Sequence, residues 1–214
     1  MQLVTNDQDV ARLREHVGQN ISNMHSFPEG WPSNVELALI DTVLSIRARY
    51  GVTAETGVRG AIKRYKAATG RAEWNDLKTL AGVDPAWLSG VLANRQKTGG
   101  VPKAEAIVSA AGRLADVGVV HSADIDRGSE VHRRAYCGTR GLGPVTWQYF
   151  LMLIGHDGVK ADTLVTRFVT EAVGRRLDSK SVAQLVTKTA AELQIPAADL
   201  DHSIWRYMSN PRRS

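Results

Sequence analysis

From Val35 to Ile46 the sequence places Val35, Leu37, Leu39, Ile40, Val43, Leu44 and Ile46 so that a helix drawn through them is apolar nearly all round. Such a helix has no face to give to water, so it belongs at the centre of a fold with other elements packed against it. Ser33-Asn-Val-Glu36 at its start reads as a capping box, the serine accepting from the Glu36 amide and the glutamate reaching back. The spacing carries the helix to Tyr50, with Gly51 as its C-cap. Arg47 and Arg49 fall near its C-terminal end, where cations suit the negative end of the helix dipole.

Helix punctuation recurs along the rest of the chain, and strand signals are almost absent. A first helix is expected from Asp7 to Gln19, with Val10, Leu13 and Val17 on one face. The loop Asn23 to Pro32 follows, carrying Phe27 and Trp31, aromatics expected to pack onto the next helix rather than reach a ligand. A helix from Ala54 to Ala68 bears a basic stripe of Arg59, Lys63, Arg64 and Lys66, the usual mark of a solvated face. Two short helices come next, the first capped by Asn75 and ended by Gly82, the second capped by Asp84 with Pro85 at its first position. Asn94 to Pro102 is the best internal linker. Further helices are expected over Pro102–Val117, Ser122–Ile125, Ser129–Cys137, Asp162–Arg176, Ser179–Leu193 and from Pro196 through Met208, with a polar tail from Asn210. The expected fold class is therefore all-α, with about ten to twelve short helices. Residues 1–214 read as a single domain with room for two lobes, roughly 33–125 and roughly 1–32 plus 126–214.

Composition narrows the partners. The 43% hydrophobic content can supply a core without staples, and Cys137, the single cysteine, excludes an internal disulfide and a four-thiolate cluster. No metal site is expected, because His16, His25, His121, His132, His156 and His202 lack ligand spacing. A net charge of +5 permits an anionic partner such as nucleic acid. No apolar run is long enough for a membrane span. One thiol and no secretory start fit a cytoplasmic protein.

The stretch Thr139-Arg-Gly-Leu-Gly-Pro-Val-Thr-Trp147 reads as a tight glycine turn opening an apolar helix that runs to Gly155. After a short loop comes Lys160-Ala-Asp-Thr-Leu-Val-Thr-Arg167. Gly141 and Gly143 are able to take positive φ and to let a partner's backbone come close. Pro144 suits a first helical position, and the Val145 and Thr146 amides point outward from a helix N-terminus, where anions are favoured. Leu142 is expected to plug the core. A bare turn between helices is the other reading of this Gly-x-Gly. Asp162 stands as an N-cap, where amides and dipole hold a carboxylate ionised, a state suited to facing developing positive charge.

These residues resemble the helix-hairpin-helix base-excision DNA glycosylases. That family carries Leu-Pro-Gly-Val-Gly-x-(Lys or other)-Thr-Ala, then a helix, then Val-Asp-Thr-x-Val-x-Arg. Glu36-Leu-Ala-Leu-Ile-Asp-Thr-Val-Leu-Ser-Ile-Arg47 looks like the family's "ILS-x-Q" helix, and Lys103-Ala-Glu-Ala-Ile107 looks like its "K-A-x-x-I" helix. The resemblance runs from Ser33 to Trp205, in family order with divergent letters. It implies that Asp162 is the catalytic aspartate, which stabilises an oxocarbenium-like sugar or activates water. It implies DNA contacts at Arg140, Gly141, Gly143, Val145 and Thr146 of the hairpin, and at Arg47, where many members have a glutamine that fills the gap left by a flipped nucleotide. Members often hold a monovalent cation at the hairpin through backbone carbonyls; no other cofactor, and no nucleotide cofactor, is implied.

Val145 stands where bifunctional members have the lysine that forms a Schiff base, and valine is incapable of that step. The expected activity is a monofunctional DNA glycosylase acting in base-excision repair. Its partner is double-stranded DNA, its substrate a damaged base flipped out of the helix, and the monomer is the favoured state. Two other readings stay open: a non-catalytic helix-hairpin-helix DNA-binding relative, and a helical adaptor that binds protein.

Overall fold

The structure, a computed structural model, describes residues 7–48 and 55–209. Tyr50, Gly51, Arg49, the expected helix start at Ala54 and the tail from Asn210 lie outside the described residues. Eleven α-helices are present among those described, with one two-residue antiparallel ribbon. The fold class is all-α.

The chain divides into two compact units, Met1–Glu29 with Asp157–Ser214, and Gly30–His156. The first unit contains α1 (Asp7–Asn20), α9 (Thr163–Val173), α10 (Ser179–Glu192) and α11 (Ala197–Met208). Its core is apolar: Val10, Leu13 and Val17 meet Val165, Phe168, Val169, Leu185, Val186, Leu200 and Ile204. The periodic positions seen in the sequence are the ones buried. An Asp9–Arg175 ion pair closes one edge, with the Asp9 side chain almost fully buried.

The second unit contains α2 (Val35–Leu44), α3 (Gly57–Thr69), α4 (Leu77–Ala81), α5 (Pro85–Leu92), α6 (Lys103–Asp116), α7 (Glu130–Cys137) and α8 (Pro144–Leu153). The ribbon strands β1 (Lys97–Thr98) and β2 (Val101–Pro102) occupy the segment read as a linker. Every residue of α2 is buried, and the helix packs against α3, α4, α6 and α8, as its all-round apolar pattern requires. Residues 126–156, grouped with the termini in the sequence reading, belong to this unit. Tyr136 stacks on Phe150 within it, Trp147 meets both rings at a tilt, and α6 and α2 receive α7 and α8.

Three local expectations are corrected. The capping box at Ser33 is not formed: α2 begins at Val35 behind Asn34, without a side-chain cap. Glu36 turns inward instead, where Arg71 grips it through two N–H groups at 2.9 and 2.5 Å, Tyr65 Oη donates at 2.7 Å and the Asp76 amide at 3.2 Å. Charge-assisted bonds of this kind outweigh one capping bond. The cap of α4 is Asp76, which accepts from Lys78 and Thr79, while Asn75 spends its carbonyl on the Val35 and Ser122 amides.

The third correction is where α2 stops. It ends at Leu44, not Tyr50, because buried Lys103 donates to the Leu44 and Ile46 carbonyls at 2.9 and 2.7 Å and to Gln96 Oε1 at 2.8 Å. An ammonium there satisfies the carbonyls that a continuing helix would otherwise bond. Burial pushes the Lys103 pKa down to about 8, so the group still carries charge at neutral pH.

Replacing Glu36 by alanine leaves the Tyr65 hydroxyl and the Arg71 guanidinium without their shared acceptor. Urea unfolding is expected to show a loss of roughly 2–4 kcal/mol, and a loss below about 1 kcal/mol would contradict the role given to this cluster.

Candidate nucleic-acid interface and acidic site

The hairpin is built on a close approach of two backbones. Gly141 has φ +85°, and a Cβ placed on it would lie 2.6 Å from the Thr98 carbonyl carbon. The reciprocal Cβ on Gly99, whose φ is +56°, would lie 2.6 Å from the Gly141 Cα. Thr98 Oγ1 donates to the Gly141 carbonyl at 2.9 Å, so the ribbon and the turn are locked together where neither has a side chain. Arg140, exposed, runs beside Gly100.

Gly143 differs from expectation. Its backbone is extended (φ −163°), a shape any residue adopts, and a Cβ there would meet nothing within 4 Å. Its glycine is required neither by the turn nor by internal packing; it leaves surface space open in front of α8. Thr146 Oγ1 accepts the Gly143 N–H at 2.9 Å and donates to the Gly143 carbonyl at 2.8 Å, so this hydroxyl closes the turn. The amides of Val145 and Thr146 have no hydrogen-bond partner among the described residues, as the helix start predicts. Leu142 is buried, as expected of a core plug.

Arg47 is exposed and holds φ +51°, unusual for a residue with a side chain, at a cost of about 1–2 kcal/mol. The Lys103 bond to the adjoining Ile46 carbonyl holds this turn. Because Lys103 also binds Gln96, and Thr98 binds Gly141, the short segment 96–103 braces both the Arg47 turn and the hairpin. Nothing in the sequence pattern singled out Lys103 or Thr98 for this work. Trp31 packs onto the next helix, α2, as expected, whereas Phe27 packs on α11 instead. Trp31 donates to buried Asp41 at 3.0 Å, Phe27 meets His202 edge-on, and Trp147 and Tyr149 are buried.

The hairpin lies in the second unit and Asp162 in the first. Asp162 caps α9: its Oδ1 accepts from the Leu164 and Val165 amides at 2.9 and 3.1 Å. The residue is half-buried, and Oδ2 has no hydrogen-bond partner among the described residues. One oxygen is thus fixed by the helix while the other stays available, the arrangement that lets a cap also do chemistry. The Asp162 amide donates back to the Lys160 carbonyl at 2.6 Å, which tightens the approach to the helix.

A family model described as a domain of unknown function (DUF8548) matches residues 11–209. Comparison with curated protein sequences gives no match. Among solved structures, a non-covalent Endonuclease III–DNA complex is similar at TM-score 0.57 and 18% identity, covering 96% of this chain and 85% of that one. MBOgg1 in complex with a low affinity DNA ligand is similar at TM-score 0.56 and 14% identity, covering 94% and 69%. A thermostable thymine-DNA glycosylase is similar at TM-score 0.54 and 16% identity, covering 95% and 87%. At these identities the likeness establishes the fold: the chain has the helical fold of these DNA glycosylases.

The two hairpin glycines are expected to separate in a thermal-unfolding experiment. Gly141→Ala forces the Thr98 backbone aside and loses about 1–3 kcal/mol, whereas Gly143→Ala stays within about 0.5 kcal/mol of the parent. Equal losses would contradict the packing described.

Proposed function

We propose that this chain, which belongs to the DUF8548 family, is a monofunctional DNA N-glycosylase that hydrolyses the bond between a damaged or modified base and its deoxyribose. The observation that carries the reading is Asp162: its helix-fixed Oδ1 and its unengaged Oδ2 suit a carboxylate that must meet positive charge without moving. In the reaction the C1′–N bond breaks, its electron pair leaves with the base, and the base gains a proton. Water forms the new C1′–O bond and gives up a proton. Asp162 stabilises the cationic sugar between these events or accepts the proton from water.

The hairpin serves binding. The free Val145 and Thr146 amides and the open space at Gly143 suit a phosphate, with exposed Arg140 beside them. Arg47, exposed on its braced turn, suits a group that fills the space of a flipped nucleotide. A monovalent cation at the turn would rely on backbone carbonyls of residues 139–143. Those of Thr139 and Gly141 each accept one hydrogen bond and keep a lone pair, while Gly143 accepts two. Double-stranded DNA is the partner, and the chain acts as a cytoplasmic monomer.

Val145 sets the limit of the chemistry. A half-buried valine offers no amine, so the product is an intact strand with an abasic site.

The deciding experiment is a panel of duplexes, each with one alkylated, oxidised or deaminated base, assayed for alkali-labile sites. Asp162→Asn is expected to reduce release at least a hundred-fold with duplex affinity unchanged, and an equally active variant would remove Asp162 from the mechanism. Gly143→Ala is expected to weaken all duplexes alike while leaving the fold intact. Duplex binding that survives with no lesion processed would favour the non-catalytic reading. Borohydride reduction during turnover is expected to trap no protein–DNA adduct; an adduct would reveal an amine nucleophile elsewhere.

A further inference from the structure

Three non-glycine residues among those described have a left-handed backbone: Arg47, Ala93 and Gln194. Two of them close a helix by the backbone's own return bond. After Ala93 the Asn94 N–H reaches the Ser89 carbonyl at 3.2 Å, and after Gln194 the Ile195 N–H reaches the Ala190 carbonyl at 3.1 Å. Arg47 is different. The Ala48 N–H that follows it donates to the Ser45 carbonyl at 3.4 Å, and no return bond to α2 forms among the described residues.

Lys103 takes the place of that bond. It is only 1% exposed, and the three donors of its ammonium go to the Leu44 carbonyl, the Ile46 carbonyl and Gln96 Oε1. Its own N–H donates to the Gln96 carbonyl at 2.9 Å, so Gln96 is bonded by both the side chain and the main chain of one residue. In a continuing helix the Leu44 carbonyl would accept from the Ala48 N–H. Here the lysine takes that carbonyl and the one directly before Arg47, and the chain is turned off the helical course. Arginine is a good helix former and is strained in the left-handed region, so local preference alone would carry α2 through Arg47.

We propose that Lys103 is a positioning residue for Arg47: by holding the Leu44 and Ile46 carbonyls it keeps Arg47 left-handed, the aim from which its guanidinium enters the space of a flipped nucleotide. The proposal rests on the reading of Arg47 as that gap-filling group. A turn to helical φ swings the Cα–Cβ bond of Arg47 and carries the guanidinium off that line. Strain kept at an exposed residue by a distant buried cation is thereby given a use.

The brace is read first in the full chain without DNA. In the parent, the amide–Hα coupling and backbone shifts of Arg47 are expected to report the left-handed conformation. In Lys103→Met, which keeps the apolar stem and loses the donors, Arg47 is expected to move to helical values. Function is read as affinity for a duplex carrying a tetrahydrofuran abasic analogue, whose missing base leaves the space to be filled. Lys103→Met is expected to weaken that affinity at least about ten-fold, and affinity for undamaged duplex by less than about two-fold. In an Arg47→Ala background the same change is expected to cost less than about two-fold. A lysine acting through Arg47 requires that loss of effect, which a general loosening of the fold does not give.

Gln96→Ala, which removes one of the three acceptors, is expected to act in the same direction by a smaller factor. It carries the same cycle if Lys103→Met does not fold. A parent-like Arg47 backbone in these variants, or losses that multiply in the double variant, overturns the proposal. An Arg47→Ala chain that binds the abasic duplex as tightly as the parent overturns the gap-filling reading on which the proposal rests, a failure distinct from that of the brace. Base release enters neither measurement, so the glycosylase reading is judged apart from both.

Discussion

In the larger unit, the candidate binding elements depend on a contact made without side chains. Gly141 and Gly99 meet backbone to backbone, and any Cβ on either would enter the other's main chain. Steric exclusion of this sort is steep: a contact at 2.6 Å is relieved only by moving the chain. The Thr98 hydroxyl then fixes the Gly141 carbonyl, and the turn is held in one conformation. From that fixed point α8 starts with two amides unpaired among the described residues and open space before them.

Buried charge does comparable work elsewhere, and in each case by taking over a backbone task. Lys103 ends α2 by donating to its last carbonyls, where the sequence offered a longer helix. Glu36 gathers Arg71, Tyr65 and the Asp76 amide, which joins α2, α3 and the start of α4 through one carboxylate. Both ions are buried with their hydrogen-bonding capacity used, the condition under which a buried charge is tolerated. Asp201, in the other unit, is buried with its Oδ1 unpartnered among the described residues.

The hairpin shows how a motif divides its labour. Gly141 serves the fold, through its left-handed backbone and tight contact; Gly143 serves the surface, since nothing inside the protein asks for a glycine there. Thr146 closes the turn with its hydroxyl and leaves its own amide free. Asp162 makes a similar division within one carboxylate, one oxygen given to α9 and the other left over.

The sequence by itself determined the helices, their buried faces and the two capped starts at Pro144 and Asp162. These depend on periodicity and on residues a few positions apart, which act locally. Only the tertiary structure decided that Glu36 turns inward rather than capping, that α2 stops at Leu44, and that the supposed linker braces the hairpin. Each of those outcomes was set by a partner thirty-five or more residues away, Arg71 for Glu36, Lys103 for Leu44 and Thr98 for Gly141. Spacing along a chain carries no record of such partners, because burial and charge compensation exist only once the elements have packed.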